Sequence, residues 1–342
     1  MSSRKPQEPV RPFPYEEREV AFANPDDGTV LHGTLTVPSG AGQHPAAVLV
    51  TGSGPQDRDE EILGHRPFLV LADWLTRRGF AVLRYDDRHF GMPAVQGWSF
   101  TTEVLAGDAR AALDWLHGQD NIDTRFTGII GHSEGGVIAP FVAARDRRVA
   151  FIVSLAGNGL SGHEIARRQW AAMALDERDE AFTRAAFDLL LRDMTGEGLR
   201  RELRTLSRRT HGWWNMAARR RLGRTLDLTV SAWNRFYLHH DPAADWCRVT
   251  CPALALFGEY DIQVEPEANR VAIERAVCDS GHADVTLRVV PSVNHLFQTV
   301  TGGGPKPYDA LLREYADAEE TISPVVLMLV SDWLLERRTR KC

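Results

Sequence analysis

Apolar residues along this chain fall into two alternating patterns. Short continuous apolar runs stand at Ala46–Val50, Phe80–Leu83 and Gly128–Ile130, and Val149–Leu155, Pro252–Phe257 and Val285–Val290 read as further strands of the same series. Runs of that length, bounded by turn residues, predict buried strands. Between them lie stretches with apolar residues at helical spacing: Pro67 to Arg78, stopped by Gly79, then Thr102 to His117, Val137 to Ala144, Pro266 to Val277 and Pro324 to Arg337. Ahead of the series, Glu16 to Ala23 and Thr29 to Val37 read as two strands joined by the hairpin turn Asp26-Asp27-Gly28. Residues 1 to about 15 are Pro-rich and polar and read as a loose arm. Strand–helix alternation of this kind predicts an α/β fold with a mostly parallel central sheet flanked by helices.

The alternation stops at Gly157 and resumes after about Asp241. The interval holds no candidate buried strand. It holds helical segments rich in Arg and Trp: Gly162 to Ala174, Asp179 to Met194, Glu197 to Ser207 and Trp213 to Leu226. The expected organisation is a core of residues 1–156 and 242–342, with residues 157–241 inserted as a helical cap over the strand ends. The sequence shows no internal repeat and no low-complexity tract.

The most informative stretch is Gly131-His132-Ser133-Glu134-Gly135, set between an apolar strand and a helix rich in small residues. Gly-x-Ser-x-Gly in that context is the nucleophile-elbow pattern. A sharp strand-to-helix turn holds the serine in a strained conformation. Glycines fit two positions before and after it because strand and helix approach closely there. The turn lifts the Ser133 hydroxyl above the sheet and aims the first free N–H groups of the helix at the same point.

A serine hydroxyl needs a neighbouring base to act as a nucleophile near neutral pH. His295 follows the strand Val285–Val290, and Asp261 follows the strand ending at Phe257. Ser133, Asp261 and His295 therefore stand in the chain order expected of a triad in this architecture, each just past a strand's carboxyl end. Glu259 is the alternative carboxylate. The two oxyanion donors are expected to be the backbone N–H groups of Glu134 and of Ser53, with Gly54 the near alternative, in the Gly-rich loop Thr51-Gly52-Ser53-Gly54-Pro55. Losing such a donor typically costs ~3 kcal/mol of transition-state stabilisation. That loop has neither the Gly-Lys-Ser/Thr ending of a P-loop nor a Gly-x-Gly-x-x-Gly spacing, so a phosphate cradle is excluded. The charged runs Gln56-Asp57-Arg58-Asp59-Glu60 and Arg84-Tyr85-Asp86-Asp87-Arg88 lie at adjacent loop ends and are expected to interlock by ion pairs, orienting the oxyanion loop.

Composition narrows the function further. The 342 residues carry a net charge of -6 and a 43% hydrophobic fraction, enough for a sizeable core and ill suited to nucleic acid as main partner. Met1 to Pro6 opens no apolar run, so no signal peptide is expected, and no stretch is apolar enough to span a bilayer. Cys247, Cys251, Cys278 and Cys342 read as reduced packing cysteines of a cytoplasmic protein rather than zinc ligands.

Taken together, these segments resemble the α/β-hydrolase family of serine esterases. Several of them resemble one branch of it, bacterial carboxylesterases related to the dienelactone-hydrolase and prolyl-oligopeptidase-like group. The resemblance is carried by Gly52 to Glu60, Arg84 to Arg88, Gly131 to Gly136, Asn294-His295-Leu296-Phe297-Gln298 and Glu319-Glu320-Thr321-Ile322-Ser323-Pro324. It covers roughly residues 17–156 and 242–338 and implies the triad Ser133, Asp261 and His295 with no cofactor and no metal. The chain departs from that branch after Arg88. A small Gly- and Ser-rich turn is usual there, and the bulkier His89-Phe90-Gly91-Met92-Pro93 stands in its place.

For substrate, the candidates lining an apolar pocket are Phe90, Trp170, Trp213, Trp214, Trp233, Phe236 and Tyr237, with Gly54 beside them. The dense arginines from Arg200 to Arg224 read as a solvated helical face. A sharper alternative is that some hold a carboxylate or phosphate of the substrate. The expected activity is hydrolysis of a small-molecule carboxylic ester or thioester through an acyl-enzyme. The alternative is acyl transfer or cyclisation of a specialised metabolite with the same triad. No membrane partner is expected, and the oligomeric state is open, with a homodimer one option.

Overall fold

The computed structural model describes residues 5–92, 99–172, 177–192, 196–211, 229–282, 284–301, 304–307 and 310–341. They form an eight-stranded sheet in the order β1-β2-β4-β3-β5-β6-β7-β8. The strands are β1 (Tyr15–Ala23), β2 (Val30–Pro38), β3 (His44–Val50), β4 (Ala81–Tyr85), β5 (Ile122–His132), β6 (Ile152–Leu155), β7 (Ala253–Gly258) and β8 (Val285–Val290). The β1–β2 hairpin and the β2–β4 pair are antiparallel, and every later pairing is parallel. This is the α/β-hydrolase architecture with a helical cap that the patterning predicts.

Side chains alternate across the strands, so the sheet has two apolar faces. Ala46, Val48 and Val50 of β3 enter one cluster, joined by α2 (Thr102–His117), α3 (Glu134–Ala143) and α9 (Pro266–Ser280). Ala47 and Leu49 enter the other, covered by α1 (Pro67–Thr76) and α10 (Pro324–Lys341). Helix α2 has the predicted bounds, and Thr101 caps it by accepting from the Val104 N–H. Helix α3 starts at Glu134, three residues before the apolar pattern suggests, because Gly135 and Gly136 hide its first turn from a hydrophobicity reading.

After β6 the chain leaves the sheet into α4 (Gly162–Ala172), α5 (Glu177–Leu190), α6 (Gly196–His211) and α7 (Ala232–His239), then returns through α8 (Pro242–Trp246) to β7. These cap helices share a small cluster of their own, Phe187, Leu190, Leu199, Leu203 and Leu238. The predicted helix from Trp213 to Leu226 lies outside the described residues. Helix α7, not foreseen, is short, and its start is signalled only by Ser231, which accepts from the Asn234 N–H. Among the described residues no helix is long and apolar enough to cross a membrane.

The amino-terminal arm corrects the sequence expectation. From Lys5 onward it is fastened rather than loose. The Lys5 ammonium donates to the carbonyls of Ala316 and Ala318, at 3.1 and 2.8 Å. The Gln7 side chain accepts from the N–H groups of Thr321 and Ile322 and donates to the Ile322 carbonyl. Proline-rich, polar composition says nothing about such docking, because the partners are backbone groups far along the chain.

Candidate active site

The elbow between β5 and α3 shows why glycine stands on both sides of Ser133. A Cβ on Gly131 would lie 1.9 Å from the Gly135 carbonyl oxygen, and one on Gly135 would lie 2.0 Å from the Val50 carbonyl oxygen of β3. Strand, helix and neighbouring strand meet backbone to backbone. Ser133 itself takes φ 52° and ψ −111°, a region that L-residues with side chains rarely occupy. That turn leaves its side chain at the carboxyl end of the central strands, with only part of the residue covered.

The structure brings Ser133, Asp261 and His295 together. His295 Nε2 lies 3.2 Å from Ser133 Oγ, and His295 Nδ1 lies 2.7 Å from Asp261 Oδ2. The other Asp261 oxygen accepts from the backbone N–H groups of Gln263 and Val264, at 2.8 and 2.9 Å. That carboxylate can only accept from the imidazole, so Nδ1 carries a proton and Nε2 presents a lone pair to the serine hydroxyl. The loop bearing His295 is equally fixed. Ser292 and Phe297 adopt φ of 56° and 59°, and the buried Gln298 side chain receives Asn294 Nδ2 and donates to the Tyr315 carbonyl. Glu259, the alternative carboxylate, instead accepts from the Ser292 N–H.

The oxyanion loop is held from below. Asp87 accepts from the Thr51 hydroxyl and the Gln56 N–H, each at 3.0 Å. Burial pushes its carboxyl well above the usual range, and the Gln56 N–H and Thr51 hydroxyl work against that rise. Arg58 makes a forked pair with Asp86, and the buried Arg84 pairs with Asp59, so the two charged runs interlock. Gly52 gives its N–H to Glu60, at 2.7 Å. Ser53 is exposed and Gly54 buried at the crest of the loop. The N–H of Glu134 belongs to the first turn of α3, where no intrahelical acceptor exists.

The Glu134 side chain was absent from the sequence reasoning, which used only its backbone. It is 2% exposed. It accepts from the Thr102 hydroxyl at 2.7 Å and from the Trp233 indole at 2.8 Å. Burial raises its carboxyl above the ordinary value while these donors pull it back. Trp233 comes from cap helix α7 and stacks on Tyr237, with ring centroids 5.2 Å apart. The carboxylate beside Ser133 is therefore one point where the cap is joined to the elbow. The remaining pocket candidates scatter. Trp170 packs edge-on against Phe187 inside the cap, and Phe90 is exposed. Trp213 and Trp214 lie outside the described residues. On α6, Leu199 and Leu203 are buried while Arg201 and Arg204 are exposed, the distribution of a solvated helical face.

Two further residues, Glu60 of the charged run and His132 of the elbow, pair with each other, which the sequence does not show. Glu60 Oε1 lies 2.8 Å from His132 Nδ1, and His132 Nε2 lies 3.0 Å from the His295 carbonyl oxygen. The available signal was a histidine at the end of an apolar strand, where burial demands partners. Among the described residues no group of three or more His, Cys, Asp or Glu is gathered as metal ligands are.

Residues 66–299 match a family model described as serine aminopeptidase, S33. Esterase EstD of Thermotoga maritima is 26% identical over 316 residues, covering 90% of this chain and 66% of its own length. The chain thus spans just under two thirds of that esterase. Among solved structures, Est1E from Butyrivibrio proteoclasticus superposes with a TM-score of 0.54 at 17% identity, covering 94% of this chain and 99% of its own. A 2,6-dihydroxy-pseudo-oxynicotine hydrolase gives 0.52 at 18% identity, covering 94% and 68%. At these identities the structural likeness is one of fold.

Proposed function

The chain belongs to the serine aminopeptidase S33 family of hydrolases, and from that premise we propose that it is a serine esterase cleaving carboxylic esters or thioesters through an acyl-enzyme. The observation that carries this reading is the unbroken line of contacts from Asp261 through His295 to Ser133 on a strained elbow. Ser133 Oγ attacks the substrate carbonyl while His295 Nε2 takes its proton. Asp261 holds the imidazole tautomer and balances the charge that forms on the ring. The N–H groups of Ser53 and Glu134 receive the oxyanion. His295 then returns the proton to the leaving alcohol or thiol, and water repeats the sequence to release the acid.

In this reading residues 1–156 and 242–342 carry the machinery, and residues 157–241 cover it. Tyr237 and Trp233 face the acyl group from the cap side. Ester rather than peptide cleavage is favoured by the esterase among the relatives. The motifs at residues 52–60, 84–88 and 131–136 favour the dienelactone-hydrolase and prolyl-oligopeptidase-like branch. The free thiols of Cys247, Cys251 and Cys278 suit the cytoplasm.

Labelling with a fluorophosphonate tests the reading. Wild type should take up one equivalent at Ser133 and hydrolyse an ester panel. Ser133→Ala should refuse the label and lose about 10⁴-fold or more in kcat with its Tm kept. An unlabelled wild type, or a fully active Ser133→Ala, would sink it. Product analysis separates free acid from transferred or cyclised acyl product.

A further inference from the structure

Beneath Ser133 lies a buried pair to which the proposed mechanism gives no role. His132 is 6% exposed and Glu60 1%. Glu60 stands in the left-handed backbone region, at φ 54°, which a side-chain-bearing residue occupies only when its surroundings impose it. Its Oε1 receives the Gly52 N–H and faces His132 Nδ1. Among the described residues its Oε2 has no hydrogen-bond partner, and Glu60 and His132 line a small apolar cavity with Phe68, Leu71, Leu155 and Phe297. The carboxyl is thus answered from one side only, by the oxyanion loop and the imidazole.

Proton counting fixes the state of the pair. A carbonyl oxygen can only accept, so the Nε2 that meets the His295 carbonyl must carry a proton. Nδ1 meets Glu60 across one further proton, whichever of the two holds it. Ring and carboxyl together keep two protons and no net charge. Neither a neutral ring beside a carboxylate nor a ring without its carboxyl satisfies both contacts at once.

We propose that Glu60 and His132 are positioning residues for acyl transfer, a proton-sharing clamp that sets the oxyanion loop through Gly52 and the base loop through the His295 carbonyl from one point under the nucleophile. The inference rests on the esterase reading. The geometry gives it reach. A Cβ on Gly52 would lie 3.3 Å from Ser133 Cβ and 3.6 Å from His132 Nδ1, so loop, elbow and clamp are in mutual contact. The rings of His132 and His295 have centroids 5.0 Å apart. The titratable groups facing His132 are Glu60 from the oxyanion loop, His295 from the base loop and Asp261 from the acid loop. Burial works against a charged His132, and Glu60 outweighs it, so the ring holds its proton above the ordinary histidine range. When that proton leaves at high pH, one of the two contacts must open.

Two measurements test the clamp. In wild type, histidine-ring ¹⁵N NMR, with His132 assigned through its own ring-to-backbone correlations, should show Nε2 protonated from about pH 6 to about 9. An unprotonated Nε2 near neutral pH overturns the proposal even if every variant fails to fold. In Glu60→Gln, kcat should fall about tenfold to a hundredfold with KM changed by less than about twofold, since misplacement acts on the reacting geometry. The alkaline limb of its kcat profile should move down by about one pH unit or more. The Glu60→Gln/His132→Gln double variant should be no worse than the poorer single one, as for groups acting as a unit. An unchanged profile, a loss confined to KM, or losses that multiply would overturn it. A wild type inert toward esters and fluorophosphonate sinks the esterase reading alone. An active wild type with an unmoved Glu60→Gln profile sinks only the clamp.

Discussion

The floor of the site and its cap use charge in opposite ways. In the floor, ion pairs are buried and join residues distant in sequence. Arg88 and Asp108, 3% and 2% exposed, meet at 2.5 Å, and Glu60 reaches His132 across 72 positions. In the cap, Glu164 pairs with Arg167 and Arg168, Glu180 with Arg184, and Glu197 with Arg200, all one turn apart and largely in water, and of these residues Arg168 also reaches Glu265 of the core, at a loose 3.5 Å. Pairs of the second kind support a helix by a few tenths of a kcal/mol and leave its position free. Pairs of the first kind cost several kcal/mol to break, because a charge is left stranded. A fixed geometry is built in the floor, and the cap keeps its own helices intact. One point where the two meet is the bond that Trp233 donates to Glu134.

The contrast can be broken or sharpened by substitution. Gly135→Ala should have the largest effect. Its Cβ would press on the Val50 carbonyl at 2.0 Å. We expect a loss of about 3 kcal/mol or more in urea unfolding. A cost under about 1 kcal/mol would show the floor to be pliable.

His89 comes next. It is 2% exposed, and burial and then the neighbouring Arg88 hold its pKa down to about 4. Its unfolded value is near 6.5, so between about 6.5 and 4 the unfolded chain binds the extra proton and stability falls as pH drops through that window. Urea midpoints at about pH 7 and 4.5 should show wild type losing roughly 2–3 kcal/mol more than His89→Gln. Equal losses in the two proteins would mean that His89 is not held neutral.

At the junction, Trp233→Phe keeps a ring beside Tyr237 but removes the indole donor from Glu134. About 1–2 kcal/mol should be lost, and less than the sum in combination with Glu134→Gln, because a neutral amide needs that donor less. Strict additivity would separate cap from elbow. The smallest effect belongs to Arg184→Ala on the cap surface, within about 0.5 kcal/mol of wild type. If it cost as much as Gly135→Ala, the distinction between floor and cap would be lost.

The same division governed what could be read from residues alone. The strand Ala253–Gly258 stands out because burial on both sides of a sheet writes a continuous apolar run. Val285–Val290, the partly buried edge strand, shows instead as β-branched residues around an exposed Arg288, and helix Thr102–His117 shows by its apolar spacing. Ser133, Asp261 and His295 were legible because strand ends fix where loops project. Glu60 was not, since its meaning depends on a histidine 72 positions away and on a backbone angle that no composition announces. Trp233 was legible as an aromatic of the cap, but its partner was hidden, because nothing in the spacing tells a packing indole from one that donates. Phe90 and Trp170 were drawn toward the pocket by their size, yet the one is exposed and the other packs within the cap.

The arm at residues 5–7 has a consequence for how the molecule is made. Lys5 and Gln7 are made long before their partners, for they are seated against residues 313 and 315 positions further along the chain. The Ser323 N–H in turn holds the Phe297 carbonyl, two residues past His295. A nascent chain therefore carries Ser133 through 162 further residues of synthesis before His295 follows, and the seating of the arm comes only after both have been made.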